Sequence, residues 1–206
     1  MVLSLASGND AAAALKDDDG IGYFYFVSPS TGALLERVAT LSGSTSSPIN
    51  MGQNTAYQPD YTDGTADAIY GVDMQGNVWR LDVTASSGSY PSPTLIATLK
   101  DGSNNAQPIT TRPLIERDPS SSARYVLVGT GRLLGDSDIT SAQVQSFYAI
   151  IDGTTSSGGF YTSSTLPTGV TFPVTRSELN ANTNLVAGIT AASGTIGWYY
   201  DLPVTN

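Results

Sequence analysis

Gly64-Thr-Ala-Asp-Ala-Ile-Tyr-Gly-Val-Asp-Met-Gln-Gly-Asn-Val-Trp-Arg-Leu-Asp-Val83 decides the fold class. Its second half alternates: Trp79, Leu81 and Val83 fall on one face, Val78, Arg80 and Asp82 on the other. That period of two belongs to a strand. Gln75-Gly-Asn77 supplies the turn chemistry before it, and Ala68-Ile-Tyr70 supplies a strand on the other limb. The stretch therefore reads as a strand, a tight turn and a second strand.

The same grammar runs outward. Tyr23-Phe-Tyr-Phe-Val27, Tyr125-Val-Leu-Val128 and Phe147-Tyr-Ala-Ile-Ile151 are apolar on both faces, as strands covered on both sides require. Met1-Val-Leu-Ser-Leu-Ala6 lacks a basic start and is too short for a leader or a membrane span, so it reads as a strand. Asp19-Gly, Ser30-Thr-Gly32, Asp63-Gly, Asp101-Gly and Asp152-Gly mark turns.

Composition agrees. In 206 residues the charged share is 13%, about half the usual, and Gly, Ser, Thr and Asn fill the gap. Net charge is −9, with Lys only at positions 16 and 100. No basic stripe exists, so nucleic acid and anionic membrane surfaces are not expected partners, and no segment is long enough for membrane insertion. Fifteen of the eighteen acids are Asp, the residue of turns and hard-cation loops. There is no Cys and no His. Cys nucleophiles, a Ser/His/Asp triad within the chain and the usual zinc sites are excluded.

Three segments share one plan: a strand ending near Gly, a turn, an aromatic-led strand, then a Ser/Thr/Gly turn. They are Leu3–Gly8 with Phe24–Ser28 and Ser30–Gly32; Ala68–Gly71 with Val78–Asp82 and Ser86–Gly88; and Val126–Gly129 with Phe147–Ile151 and Ser156–Gly158. Tyr25, Trp79 and Tyr148 recur at about 54 and about 69 residues, near the blade length of larger propellers. Leu34–Leu41, Thr94–Leu99 and Gly169–Val174 are the expected fourth strands.

The expected architecture is all-β: a partial modified β-propeller of about three blades, a fragment of a larger ring, since propellers close with four to eight. The expected units are 1–45, 46–102 and 103–176 of one domain, with a closing segment at 177–206 that either closes the third unit or begins a return strand. Both chain ends read as interior to a longer protein.

Asp60-Tyr-Thr-Asp-Gly-Thr-Ala-Asp67 is the main candidate site. A calcium loop places oxygen ligands at alternate positions around a Gly at the sixth. With Asp67 as ligand nine, Gly64 is sixth, Asp63 fifth, and the Thr65 carbonyl seventh. Asp60 and Thr62 then lie near ligand positions but out of step, because the front of the loop is one residue short. The other reading is an Asp-Gly turn with solvated carboxylates.

The remaining candidates read as structural. Lys16-Asp-Asp-Asp-Gly-Ile-Gly22 is a solvated loop, since adjacent Asp on an extended chain diverge. Asp136-Ser-Asp138 suits turn and helix-cap chemistry. Arg80 and Asp82 share a face and can pair with each other or with a neighbouring blade. Gly129-Thr-Gly-Arg132 lacks the full phosphate-binding pattern. Trp79 and Trp198 suit the core or blade stacking.

Together these residues resemble the PilY-type family of type IV pilus tip-associated adhesin and biogenesis proteins. Asp63-Gly-Thr-Ala-Asp through Gly-Asn-Val-Trp-Arg-Leu-Asp82 is similar to that family's calcium loop and the two strands after it. Gly129-Thr-Gly-Arg-Leu-Leu-Gly-Asp-Ser-Asp138 with Val144–Ile150 resembles its next blade, and Ser28-Pro-Ser-Thr-Gly-Ala-Leu-Leu35 its preceding one. Gly197-Trp-Tyr-Tyr-Asp-Leu-Pro203 resembles its closing segment.

The resemblance implies a non-catalytic C-terminal propeller of a large secreted protein. It would act at the pilus tip or outer surface of a Gram-negative bacterium, in pilus biogenesis, extension and retraction control, and adhesion. The implied partners are the remaining blades of its own chain, minor pilins, and a host or abiotic surface. The implied ion is Ca2+, carried over onto Asp63, Asp67 and the Thr65 carbonyl, with Asp60 and Thr62 close by. Two alternatives stand beside it: a quinone-dependent dehydrogenase-type propeller, and a generic calcium-stabilised extracellular scaffold.

Overall fold

The computed structural model describes residues 3–6, 19–60, 62–85, 89–154, 159–189, 192 and 194–203, the first four as backbone. The turn signals at Ser86–Gly88 and Ser156–Gly158, Gly8, and most of the Lys16 acidic cluster lie outside them.

Three sheets follow one another along the chain. The first holds β1 (Leu3–Ala6), β2 (Tyr23–Val27) and β3 (Leu34–Ala39) in that order. The second holds β4 (Met51–Tyr57), β5 (Ala68–Asp73), β6 (Asn77–Asp82) and β7 (Thr94–Thr98), a four-stranded antiparallel meander. The third is built from β8 (Leu114–Arg117), β9 (Ala123–Gly129), β10 (Ser146–Thr154), β11 (Asn180–Ala181) and β12 (Gly197–Asp201), in the order β11-β12-β10-β9-β8. One helical turn, α1 (Asp136–Ile139), lies between β9 and β10. Among the described residues no helix is long and apolar enough to cross a membrane.

Successive side chains of a strand point to opposite faces, so each face of the second sheet packs on a different neighbour. Ile69, Trp79 and Leu81 join Phe24, Phe26, Val38, Ile49 and Met51 in the cluster against the first sheet. Ala68, Tyr70, Val72 and Val78 join Val126, Val128, Tyr148 and Ile150 in the cluster against the third. The middle sheet is thus apolar on both faces. Each fully buried large side chain there contributes roughly 1.5–3 kcal/mol.

The repeated aromatics sit on inner strands. Trp79 lies on β6 and Tyr148 on β10, each facing the preceding sheet. Tyr25 sits on β2 between Phe24 and Phe26, which face the second sheet, so it points the same way round.

Two loops share a frame that sequence reading passed over. Asp73 Oδ1 accepts from the amides of Gln75 (2.8 Å) and Asn77 (3.0 Å), and Oδ2 from Asn77 Nδ2 (2.9 Å). Asp101 repeats this with Ser103 N (2.9 Å), Asn105 N (2.9 Å) and Asn105 Nδ2 (3.2 Å). The fourth residue is left-handed in both, Gly76 at φ +80° and Asn104 at +66°. A Cβ at Gly76 would stand 2.3 Å from the Leu99 carbonyl oxygen, so only Gly serves there. The readable signal was Asp followed four residues later by Asn.

Some strands differ from expectation. Gly169–Val174 is not a strand; Val174 makes one isolated parallel bridge to Ala97. Its place beside β10 is taken by β12 from the closing segment, which pairs Phe147 with Tyr200 and Ala149 with Trp198. Gly169 and Pro173 break the first stretch, while Trp198-Tyr-Tyr200 has the aromatic content a strand favours. β4 and β8 were not expected. Met51-Gly-Gln-Asn-Thr-Ala-Tyr57 is polar because β4 is largely half-buried or exposed.

Candidate functional site

The acidic loop joins β4 to β5. Asp60 Oδ1 accepts from the amide (2.8 Å) and hydroxyl (2.6 Å) of Thr62, which hold its carboxyl below the usual range. Asp63 Oδ1 accepts from the amide of Thr65 at 2.8 Å. Gly64, at φ +70°, lets the chain reverse with nothing around it. Asp60, Thr62, Asp63 and Thr65 are exposed, and Asp67 is half-buried. Asp67 anchors the exit, its amide donating to the Tyr57 carbonyl and its own carbonyl accepting from Val83, both at 2.9 Å.

Desolvation raises the Asp67 carboxyl, and the negative fields of Asp63 and Asp82 add to it, while Arg124 acts against them. The three carboxylates share a neighbourhood without converging on a point. Among the described residues no group of three or more acids is placed to hold an ion. Asp60 and Asp63 each close a turn of their own. The loop as folded is not a preformed cage.

Below this loop lies a buried charged node that sequence reading missed in part. Asp152, on β10, is 1% exposed. Its Oδ1 pairs with Arg80 Nη1 and its Oδ2 accepts from the Tyr70 hydroxyl at 2.7 Å. Its carbonyl accepts from Nε (3.0 Å) and Nη2 (2.7 Å) of Arg124, which is fully buried. Arg80 Nη2 reaches the Tyr161 carbonyl at 2.9 Å. The Phe160 ring lies against both guanidiniums, with ring-centroid distances of 4.8 Å to Arg80 and 4.2 Å to Arg124.

Of the two pairings open to Arg80, the one across to the neighbouring sheet is formed. Asp82 instead accepts from the amide and hydroxyl of Thr84. The Asp152 oxygens are all taken, so the node pins the second sheet to the third. Burial pushes the Tyr70 phenol well up, which keeps it a donor. The signal in the sequence was Arg80, a lone cation in an apolar strand; Asp152 read only as a turn.

The other candidates behave as structural residues. Asp138 accepts from the amides of Leu134 (2.9 Å) and Gly135 (3.1 Å), the cap chemistry expected of it. Gly131 donates its amide to the Pro108 carbonyl (2.6 Å) and Thr130 to Ser146 (2.9 Å), which leaves no phosphate cradle there. Asp19 accepts from Ile21 N and the Tyr23 hydroxyl.

With two seams and three meanders in place, the comparison with known proteins is direct. The model of the PilY1 beta-propeller domain matches residues 2–171. The chain belongs to this family. A type IV pilus biogenesis factor PilY1 homolog of Xylella fastidiosa is 35% identical over 98 residues, which is 47% of this chain and 8% of the relative. The type IV pilus biogenesis factor PilY1 of Pseudomonas aeruginosa strain UCBPP-PA14 is 30% identical over 117 residues, 44% of this chain and 10% of the relative. The chain thus spans about a tenth of the length of these relatives. The crystal structure of the P. aeruginosa PilY1 C-terminal domain superposes with a TM-score of 0.66 at 21% identity, over 90% of this chain and 45% of that one. The PilY1 fold is therefore present here as part of a longer propeller chain.

Proposed function

We propose that this chain is a non-catalytic propeller segment of a type IV pilus biogenesis factor. It acts outside the cell, at the pilus tip or outer surface, in extension and retraction control and in adhesion. The family match over residues 2–171 carries this reading.

The open face of the third sheet supports contact with the remaining blades. Leu114, Leu127, Phe147, Trp198 and Tyr200 share that face by register, and Leu114 is 55% exposed. Minor pilins and a host or abiotic surface are the further proposed partners. Calcium is the proposed ion, through Asp63, Asp67 and the Thr65 carbonyl. Binding would require Asp63 to leave its own turn, so weak affinity is expected.

Deleting this segment from the gene in a piliated host tests the reading. Loss of surface pili or of twitching, restored by the intact gene, is the expected result. Normal piliation, twitching and attachment in the deletion strain would reject it. A quinone absorbance that stays with the purified protein would favour the enzyme instead.

A further inference from the structure

Four Asp-Gly pairs stand in this chain: Asp19-Gly20, Asp63-Gly64, Asp101-Gly102 and Asp152-Gly153. Such a pair carries chemistry of its own. The Gly amide nitrogen can attack the Asp side-chain carboxyl, because no Cβ shields it and the Gly backbone turns freely. Which of the four pairs reacts is then set by the fold.

Three of them are held. Asp152 is 1% exposed, lies within β10 and has both carboxylate oxygens occupied, by Arg80 and by the Tyr70 hydroxyl. Asp101 is also buried; its Oδ1 accepts from the amides of Ser103 and Asn105, and its Oδ2 from the side-chain amides of Asn105 and Gln143. Asp19 accepts from the Ile21 amide on Oδ1 and from the Tyr23 hydroxyl on Oδ2. A Cβ at Gly20 would stand 2.0 Å from the Ser44 carbonyl oxygen, so the Gly20 backbone has no room to turn.

Asp63-Gly64 differs on each count. Both residues are exposed. The Asp63 carboxylate accepts one hydrogen bond, from the Thr65 amide to Oδ1 at 2.8 Å. That bond closes a ring around Gly64 and folds the carboxyl back toward the Gly64 peptide. Asp63 Oδ2 and the Gly64 amide make no hydrogen bond among the described residues. Gly64 is left-handed at φ +70°, and an added Cβ would meet nothing within 4 Å.

We propose that Asp63-Gly64 is a site of spontaneous isoaspartate formation, the Asp-Gly pair that the fold leaves free to react. The Gly64 nitrogen bonds to Asp63 Cγ, and its proton leaves with the carboxyl OH as one water, which closes a succinimide ring. Water then adds at the Asp63 main-chain carbonyl carbon and breaks that carbon's bond to the Gly64 nitrogen. The main chain now runs through Asp63 Cγ and is one CH2 longer, and the former main-chain carbonyl is a free carboxylate. Neither composition nor oxidation state changes. The bonds that clamp the loop, from the Asp67 amide to the Tyr57 carbonyl and from the Val83 amide to the Asp67 carbonyl, lie outside the altered linkage, so the sheet keeps its register. The acidic loop thus re-aims one carboxylate as the protein ages. This goes beyond the pilus reading and does not rest on it.

Ageing the whole chain in neutral buffer at physiological temperature tests the idea. Cleavage by trypsin after Arg37, Arg80 and Arg117, among other sites, puts the four pairs on separate peptides. Electron-transfer fragmentation tells isoaspartate from aspartate. It should find isoaspartate at Asp63 and at none of the other three. The same ageing in concentrated urea should bring it to all four, because only the fold protects the others. The aged folded chain should keep the melting temperature of the fresh one. Aspartate intact at Asp63, or isoaspartate spread evenly over the four pairs of the folded chain, overturns the proposal. So does isoaspartate confined to Asp63 in urea, which would trace the choice to local sequence.

Discussion

The indole N–H of Trp79 donates to Asp73 Oδ2 at 2.8 Å, across the turn that joins β5 to β6. It is the fourth hydrogen bond on that carboxylate, which is 0% exposed. Asp73→Asn places an NH2 against donors whichever way the amide turns. It should cost about 2–4 kcal/mol, as for one or two unmet buried groups. Trp79→Phe should cost less, because one donor to Oδ2 remains. Urea unfolding of both variants checks the order; equal midpoints for Asp73→Asn and wild type would refute it.

Breaking the Arg80–Asp152 pair should loosen the second seam. Asp152→Ala leaves the buried Arg80 guanidinium without its anion and the Tyr70 hydroxyl without its acceptor, and roughly 3–5 kcal/mol is expected for such a loss. Arg80→Met with Asp152→Ala should be milder than either single change added to the other. A double-mutant cycle by denaturant midpoint measures the coupling, and additive costs would show the pair to be idle.

Acid should act on the Asp101 and Asp201 clusters. Asp101 is held below the usual 3.8 first by the Asn105 amide, and Asp201 first by Arg176. Their contribution is complete above 3.8 and is lost as pH falls through the lowered folded values. Melting temperature should therefore fall below about pH 4, and Asp201→Asn should flatten that fall. An unchanged acid limb in the variant would count against it.

Asp67 has the opposite sign. Its folded pKa is raised, so its ionised form is disfavoured in the folded state, and that penalty vanishes below 3.8. Asp67→Asn should raise the melting temperature at pH 7 and leave it unchanged at pH 3. A lower melting temperature at pH 7 would mean the carboxylate is used by something.

That something is calcium in the family reading. Calorimetric titration should show weak binding, in the millimolar range of loose extracellular sites, and Asp63→Ala should abolish it. If calcium gives neither heat nor a melting shift to the wild type, the loop is only a turn.

The strands carrying these residues could be read from alternation and turn chemistry alone. Trp79 and Leu81 announced a buried face, and Asn77 and Gly76 announced the turn before it. Two things escaped that reading. β4 and β8 lie against one neighbour each and carry mixed polarity, so no hydrophobic period marks them. In the Asp152 node, Tyr70 and Arg80 meet an Asp more than 70 positions away, and local pattern holds no trace of which Asp meets Arg80. The acidic loop was the converse: its spacing was visible, while the Asp60 and Asp63 carboxylates each accept from the amide two residues on.

The two seams of the middle sheet will answer differently to temperature. The first is made of apolar side chains around Phe24, Phe26 and Trp79, and such burial weakens on cooling. The second adds buried ions, whose desolvation penalty shrinks on warming. Cold should therefore part the first and second sheets before the second and third, so that the three-sheet stack softens from one side.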